Sequence, residues 1–158
     1  MKKFEFTGET KTISLLFRTA ILHRIRAVAE FGLVKVGDLG GWIEKEENLS
    51  HEGKAWVCGD AKVCGDAEVW GNAEVFSASH VLVIGAIGSR DDFTTFFRDK
   101  DNEITVKCGC FLGKIDKFLE KVTQTHGDSK YALVYRAAVE VARLQIDLSG
   151  EAPKDADE

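Results

Sequence analysis

Between residues 55 and 79 the chain reads AWVCGDAKVCGDAEVWGNAEVFSAS, nearly the same six letters four times over. Set in register this is Ala-x-Val-x-Gly-Asp/Asn, with Ala55, Ala61, Ala67 and Ala73 each two places before Val57, Val63, Val69 and Val75. A fixed period constrains a fold more than any local propensity, and a period of about six is that of a parallel β-solenoid, one short strand and one corner per repeat. Alanine and valine two apart point to the same side of a strand and can fill a narrow interior. Gly59-Asp60, Gly65-Asp66 and Gly71-Asn72 supply corners, since these residue types tolerate positive φ. A helix gains nothing from a β-branched residue and a glycine in every hexad.

The count continues forward to Val81 and Ile87, preceded by Ser79 and Gly85. Backward, Ile43 and Leu49 keep the spacing but sit out of register, as a small insertion in Ser-His-Glu-Gly-Lys would produce. About eight hexads at roughly three per coil, with about 4.8 Å between stacked strands, predict a solenoid of about three coils on the order of 13 Å tall. The position after each inward residue faces away from the interior and reads Cys58, Cys64, Trp70, Phe76, Leu82. Such a strip is expected to be an interface, with a second copy of the chain or with its own C-terminal region. Cys58 and Cys64 fall on different faces and are poorly placed for a disulfide.

The hexads AKVCGDAEVWGNAEV resemble those of the hexapeptide-repeat proteins, the left-handed β-helix family that includes many acyltransferases. Together with LHRIRAV and GDLGGWIEKEENLSHEGKAWV they look like small phage and prophage proteins with transferase-type repeats. The left-handed sense is what the resemblance implies, because the period itself does not set the hand. It also implies acyl transfer, with acyl-coenzyme A between neighbouring coils and a histidine base on a loop. His51 and His80 are the histidines near the hexads, and no extended loop interrupts the repeats.

The flanks read differently. Residues 1–40 are expected to form strands capping a solenoid at 41–90, followed by an α+β domain at 91–148 and a disordered acidic tail at 149–158. The fold class is thus mainly β with an α+β C-terminal part. DFTTFFR, the polar turn DKDNE and ITVKCGC predict a hairpin. Ile115, Phe118, Leu119 and Val122 share one face of a helix that Gly127 ends. A second helix, about 129–146, is expected to bury Tyr131, Val134, Tyr135, Ala138 and Ala142.

Charge limits the partners. The net charge is −5, of which EAPKDADE at the C-terminus carries −3. Arg18, His23, Arg24 and Arg26 form the densest basic stretch, but without interleaved aromatics they read as solvated strand edges rather than a nucleic-acid face. No apolar run is long enough for a membrane helix, and MKKFEFTGETK lacks the apolar segment of an export signal. A cytoplasmic protein with its four cysteines as thiols is expected.

Candidate site residues gather at element ends, where binding sites are usually built: Arg90, Thr94, Thr95, Lys107, His126, Lys130 and Tyr131. Arg90, Lys107, Lys130 and helix-start amides near Ser129 would suit an anion. Cys108, Cys110 and His126 are weak metal candidates with spacing unlike a zinc knuckle. Cys108 or Cys110 with His126 as base is a nucleophile candidate lacking a third orienting group. The resulting expectation is a non-enzymatic phage-type accessory protein, a homo-oligomer assembled through its solenoid, binding a host protein or an anionic, nucleotide-like ligand, with no cofactor. Counter-defence, by inhibiting a bacterial immune protein or sequestering a nucleotide signal, is what the phage resemblance implies. A hexapeptide acyltransferase is the alternative.

Overall fold

A computed structural model describes residues 1–149; the acidic tail expected at 149–158 lies, but for Ser149, outside the described residues. The chain is mainly β with two C-terminal helices. Strands β1 (Phe4–Ser14) and β2 (Thr19–Ala27) form an antiparallel hairpin, and β2 also pairs antiparallel with β3 (Leu39–Ile43). β3 in turn pairs in parallel with β5 (Lys62–Val63). The outer edge of β3 is therefore hydrogen-bonded rather than open.

From β3 onward the chain coils. Ile43 stacks on Val63, Leu49 bridges Val69 in parallel, and Val57 of β4 (Trp56–Val57) lies beside Val75 of β6 (Glu74–Val75). These six side chains and Ala55, Ala61, Ala67 and Ala73 are buried together. Leu49 and Val57 are two residues further apart than the other neighbours, and the excess is taken up in the bend at residues 50–54. The corners are those the hexads imply, with Gly59, Gly65 and Gly71 at φ of 60°, 64° and 66°. Rungs are so close that a Cβ on Gly41 would stand 2.7 Å from the Ala61 carbonyl oxygen.

The coil is shorter than the hexad count. Val81 and Ile87 are the ends of β7 (Val81–Ile87), which pairs antiparallel with β8 (Asp92–Arg98). The reason is visible after Val75, where the corner Gly-Asp is replaced by Ser77-Ala78-Ser79, a short 3₁₀ turn through His80. Two coils result. β7 joins a sheet of order β10-β9-β8-β7, with β9 (Ile104–Cys108) and β10 (Phe111–Lys114).

This sheet works on two faces. Val81, Val83 and Phe97 pack against the coil interior, whereas Leu82, Ile84 and Phe96 pack against the helices α1 (Ile115–His126) and α2 (Lys130–Gln145). Alternation along a strand sends neighbouring side chains to opposite faces, so Phe96 and Phe97, both fully buried, enter different cores. α1 buries Ile115, Phe118 and Val122, with Gly127 as its C-cap. α2 buries Ala132, Tyr135, Ala138, Val139 and Ala142. Tyr131, expected on the buried side, is exposed; its neighbour Ala132, small enough to approach the sheet, takes the contact.

Candidate functional site

The expected ligand residues lie on both faces of the C-terminal sheet, with Arg90 in a turn and Lys130 at a helix start. On the coil-facing side of the sheet, the Thr95 hydroxyl accepts a hydrogen bond from the Glu68 amide at 2.9 Å. Lys107 is buried, pairs with Glu68 at 3.3 Å, donates to the Gly109 carbonyl and lies 4.7 Å from the Trp70 ring centroid. Its charge is thus committed to the junction between coil and sheet. On the helix-facing side, the Thr94 hydroxyl donates to the Cys108 thiol at 3.4 Å. Tyr135 reaches the same thiol, and its hydroxyl is pushed up to about 12, by burial first and then by Cys108 and Asp92. His126 stacks on Tyr135 at 5.8 Å and stands 5.7 Å from Tyr131.

Arg90 is exposed in the β7–β8 turn, where its charge acts on Tyr135 and opposes the rise of that hydroxyl's pKa, and Lys130 is exposed at the first position of α2. With Lys107 turned to the other face of the sheet, the three cations do not form one anion pocket. Strand alternation explains why: Thr94 and Cys108 share a face, whereas Thr95 and Lys107 share the opposite one.

The cysteine readings change in the same way. Cys110 is not on a strand beside Cys108. It is the exposed second residue of the tight Gly109-Cys110 turn, which Gly109 opens at φ 55° and the Cys108–Phe111 pair closes. Cys108 has Thr94 and Tyr135 as partners, and a tyrosine held protonated is a donor at neutral pH rather than the base a nucleophile needs. Among the described residues, no three His, Cys, Asp or Glu side chains gather closely enough to hold a metal ion.

The apolar stripe expected as an interface is half-buried and covered piecemeal by the chain itself. Cys58 packs on the coil core, Cys64 on Ala20, Leu22 and Trp42, and Leu82 on the helices. Trp70 lies under Lys107 and Phe76 lies between His80 and Arg98. The basic stretch is likewise paired: Arg18 with Glu44 at 2.6 Å, Arg26 with Glu5 at 2.6 Å and Arg24 with Glu9 at 3.6 Å, while His23 stacks on Phe6.

The two coil histidines hold the chain's own backbone. His51 accepts from the Lys3 amide at Nδ1, 3.0 Å, and stacks on Phe4 with ring centroids 4.1 Å apart. His80 accepts from the Phe76 amide at Nδ1, 3.1 Å. Burial lowers the pKa of both, His80 also feeling Arg98. Asn48, which the sequence reading did not single out, is the most heavily bonded side chain of the coil. Its carbonyl accepts from the Glu44 and Lys45 amides, its amide donates to the Gly65 and Ala67 carbonyls, and it is fully buried.

Between coil and sheet lies a cleft of about 230 Å³. Its coil wall carries Lys45, Glu47, Asp66 and Glu68, and the opposite wall carries Asp92, Phe93 and Gly109. Lys45 is paired with Asp66 at 3.1 Å and Lys107 with Glu68, so acidic groups exceed basic ones around it.

No family model matches this chain. It is similar to the protein named uncharacterized acetyltransferase YdcK of Escherichia coli (strain K12), 31% identical over 61 residues. The match covers 36% of this chain and 19% of that protein, so the chain spans about a fifth of the relative's length.

Proposed function

We propose that this chain is a non-catalytic binding protein, a short hexapeptide-type coil of left-handed sense that presents the cleft beside the C-terminal sheet to a partner. The observation that carries the reading is the use made of His51 and His80. The histidine of a hexapeptide acyltransferase must take a proton from its substrate, yet each ring here accepts a main-chain amide at Nδ1, which in the neutral imidazole puts the proton on Nε2 and leaves no unprotonated nitrogen to act as base. Two coils also leave a single inter-coil groove for a long cofactor. The left-handed sense is supported by the resemblance of the hexads.

The cleft's excess of carboxylates, with Phe93 beside them, favours a basic segment of a partner protein over the nucleotide-like anion expected from the sequence. A host protein is the partner in a phage setting, and a counter-defence use rests on that resemblance alone. A titration of short lysine- and arginine-bearing peptides against the parent and a Glu47→Gln/Asp92→Asn variant tests the cleft. Saturable binding weakened about ten-fold or more, the loss of roughly one to two charge-assisted contacts, is expected. Equal binding to both proteins, or none to the parent, rejects it.

Acyl transfer is the second reading, favoured by the similarity to an acetyltransferase-named protein. Calorimetry with acetyl-coenzyme A separates the two. No saturable heat is expected, and turnover that disappears in His51→Ala or His80→Ala would establish the enzyme instead.

A further inference from the structure

Among the described residues, apolar side chains stand exposed at the β1–β2 tip (Leu16, Phe17), before β3 (Leu33, Val36) and along α2, where they line up on one face. Leu133 is 60% exposed, Val141 46% and Leu144 89%, and Ala137 between them is exposed as well. At about 100° per residue these four lie along one side of the helix, opposite Tyr135, Ala138, Val139 and Ala142, which face the sheet. α2 thus has two apolar faces, one of which is covered by its own chain.

The outer stripe has a property that most apolar faces lack: it matches itself when reversed. In a twofold pair, whatever residue i meets, its counterpart meets in return. Leu133 and Leu144 are centred between residues 138 and 139, Ala137 and Val141 are centred on 139, and Arg136 and Glu140 at the edge of the stripe are centred on 138. One antiparallel arrangement therefore sets leucine on leucine, small alanine beside branched valine, and arginine near glutamate. A parallel arrangement would instead oppose Glu140 to Glu140 and Arg136 to Arg136, like charges facing each other.

We propose that the outer face of α2 is a homodimer interface, packed antiparallel about a twofold axis between residues 138 and 139. Leu133 lies on the partner's Leu144 and Ala137 beside the partner's Val141. Arg136 and Glu140 at the rim set register more than affinity. Glu140 already holds Arg143 at 2.7 Å, and Arg136 donates to the Gly127 carbonyl at 3.0 Å, so both side chains are ordered at that edge before association. Because one helix face is small beside a standard interface, the dimer is weak and concentration-dependent.

Sedimentation equilibrium on the full chain, from micromolar to millimolar concentration, tests this. The parent is expected to dimerise within that range. Leu144→Glu is expected to raise the dissociation constant about a hundred-fold or more, since symmetry removes two apolar contacts at once, with an unchanged thermal melt because Leu144 is exposed. Leu133→Lys should behave alike. The double variant Leu133→Lys/Leu144→Glu, which sets lysine across from glutamate twice, should regain association at low salt and lose it at high salt. A parent that is monomeric at millimolar concentration overturns the proposal, as does a dimer that survives Leu144→Glu. A double variant no better than the singles overturns the antiparallel register. Association abolished by Phe17→Asp would place the contact at the exposed β1–β2 hairpin tip and overturn it too.

Discussion

The coil and the C-terminal sheet with its helices bury their interiors by opposite means. In the coil, strands of two residues carry valine inward with an alanine just before each, and each rung is held by the rung stacked on it. No rung has enough contacts of its own to stand alone. The sheet and helices use longer elements and large side chains, with Phe96, Phe118 and Tyr135 meeting edge to face. A repeat fills its core with small, identical pieces at fixed backbone spacing, and so it has little slack. A core assembled from a few aromatics instead loses much when one piece is removed.

The contrast can be broken or sharpened by substitution. Val63→Asp should have the largest effect, because an unpaired carboxylate in the coil interior costs on the order of 5 kcal/mol or more, comparable with a domain's whole stability. Circular dichroism that shows a parent-like melt would refute the inward register of the hexads. Phe118→Ala comes next, at about 3–5 kcal/mol, since it empties the centre of the aromatic cluster. Denaturant titration reads the loss. Ala67→Leu is the converse test: overpacking the second coil should cost about 1–3 kcal/mol although it adds apolar surface. A neutral or stabilising result would show that the coil interior has slack after all.

The smallest effect is electrostatic. The Arg18 guanidinium, with help from the Gly65 amide, draws the Glu44 carboxyl down to about 2 from an ordinary 4.5. A carboxylate held below its unfolded value adds stability that is complete above about pH 4.5 and lost as the pH falls through about 2. Arg18 is half-exposed, so solvent screens the pair. In Glu44→Gln the melting temperature should sit slightly below the parent's at neutral pH, and the two should converge across that acid window. Parallel pH profiles would mean that Glu44 does not tie the hairpin to the coil corner.

What could be read from the letters follows the same division. The coil's inward positions, its glycine corners and the displaced bend before Lys54 were all legible, because repetition writes the same environment several times. Both helices and the β8–β9 pair were legible from periodicity. The end of the coil was miscounted because valines continue at the right spacing through Val81 and Ile87 while the corners do not; the missing Gly-Asp after Phe76 was the available signal. Cys110 was misplaced because a two-residue turn inserted itself into an apparently alternating strand. The supposed cationic pocket failed on strand parity, since Thr94 and Thr95 are neighbours in sequence and face opposite ways. The stripe from Cys58 to Leu82 was rightly seen as apolar, but several different parts of the chain cover it, which no local pattern encodes. Asn48 gave no pattern either: its four bonds go to two corners that only the stacking brings together.

The pair Phe96-Phe97 has a consequence for how the protein is made. A ribosome delivers both coils before it delivers β8, so the nascent coil waits with its last rung covered only in part, by Val81 and Val83, until Phe97 arrives to stopper it. That rung is a ready template for pairing with another emerging chain. The same dipeptide that closes the coil begins the second core, so the hazardous interval ends at the moment the downstream half starts to organise. Slowing translation between residues 81 and 97 should therefore lower the soluble yield, and a coil fragment stopped before Phe97 should aggregate.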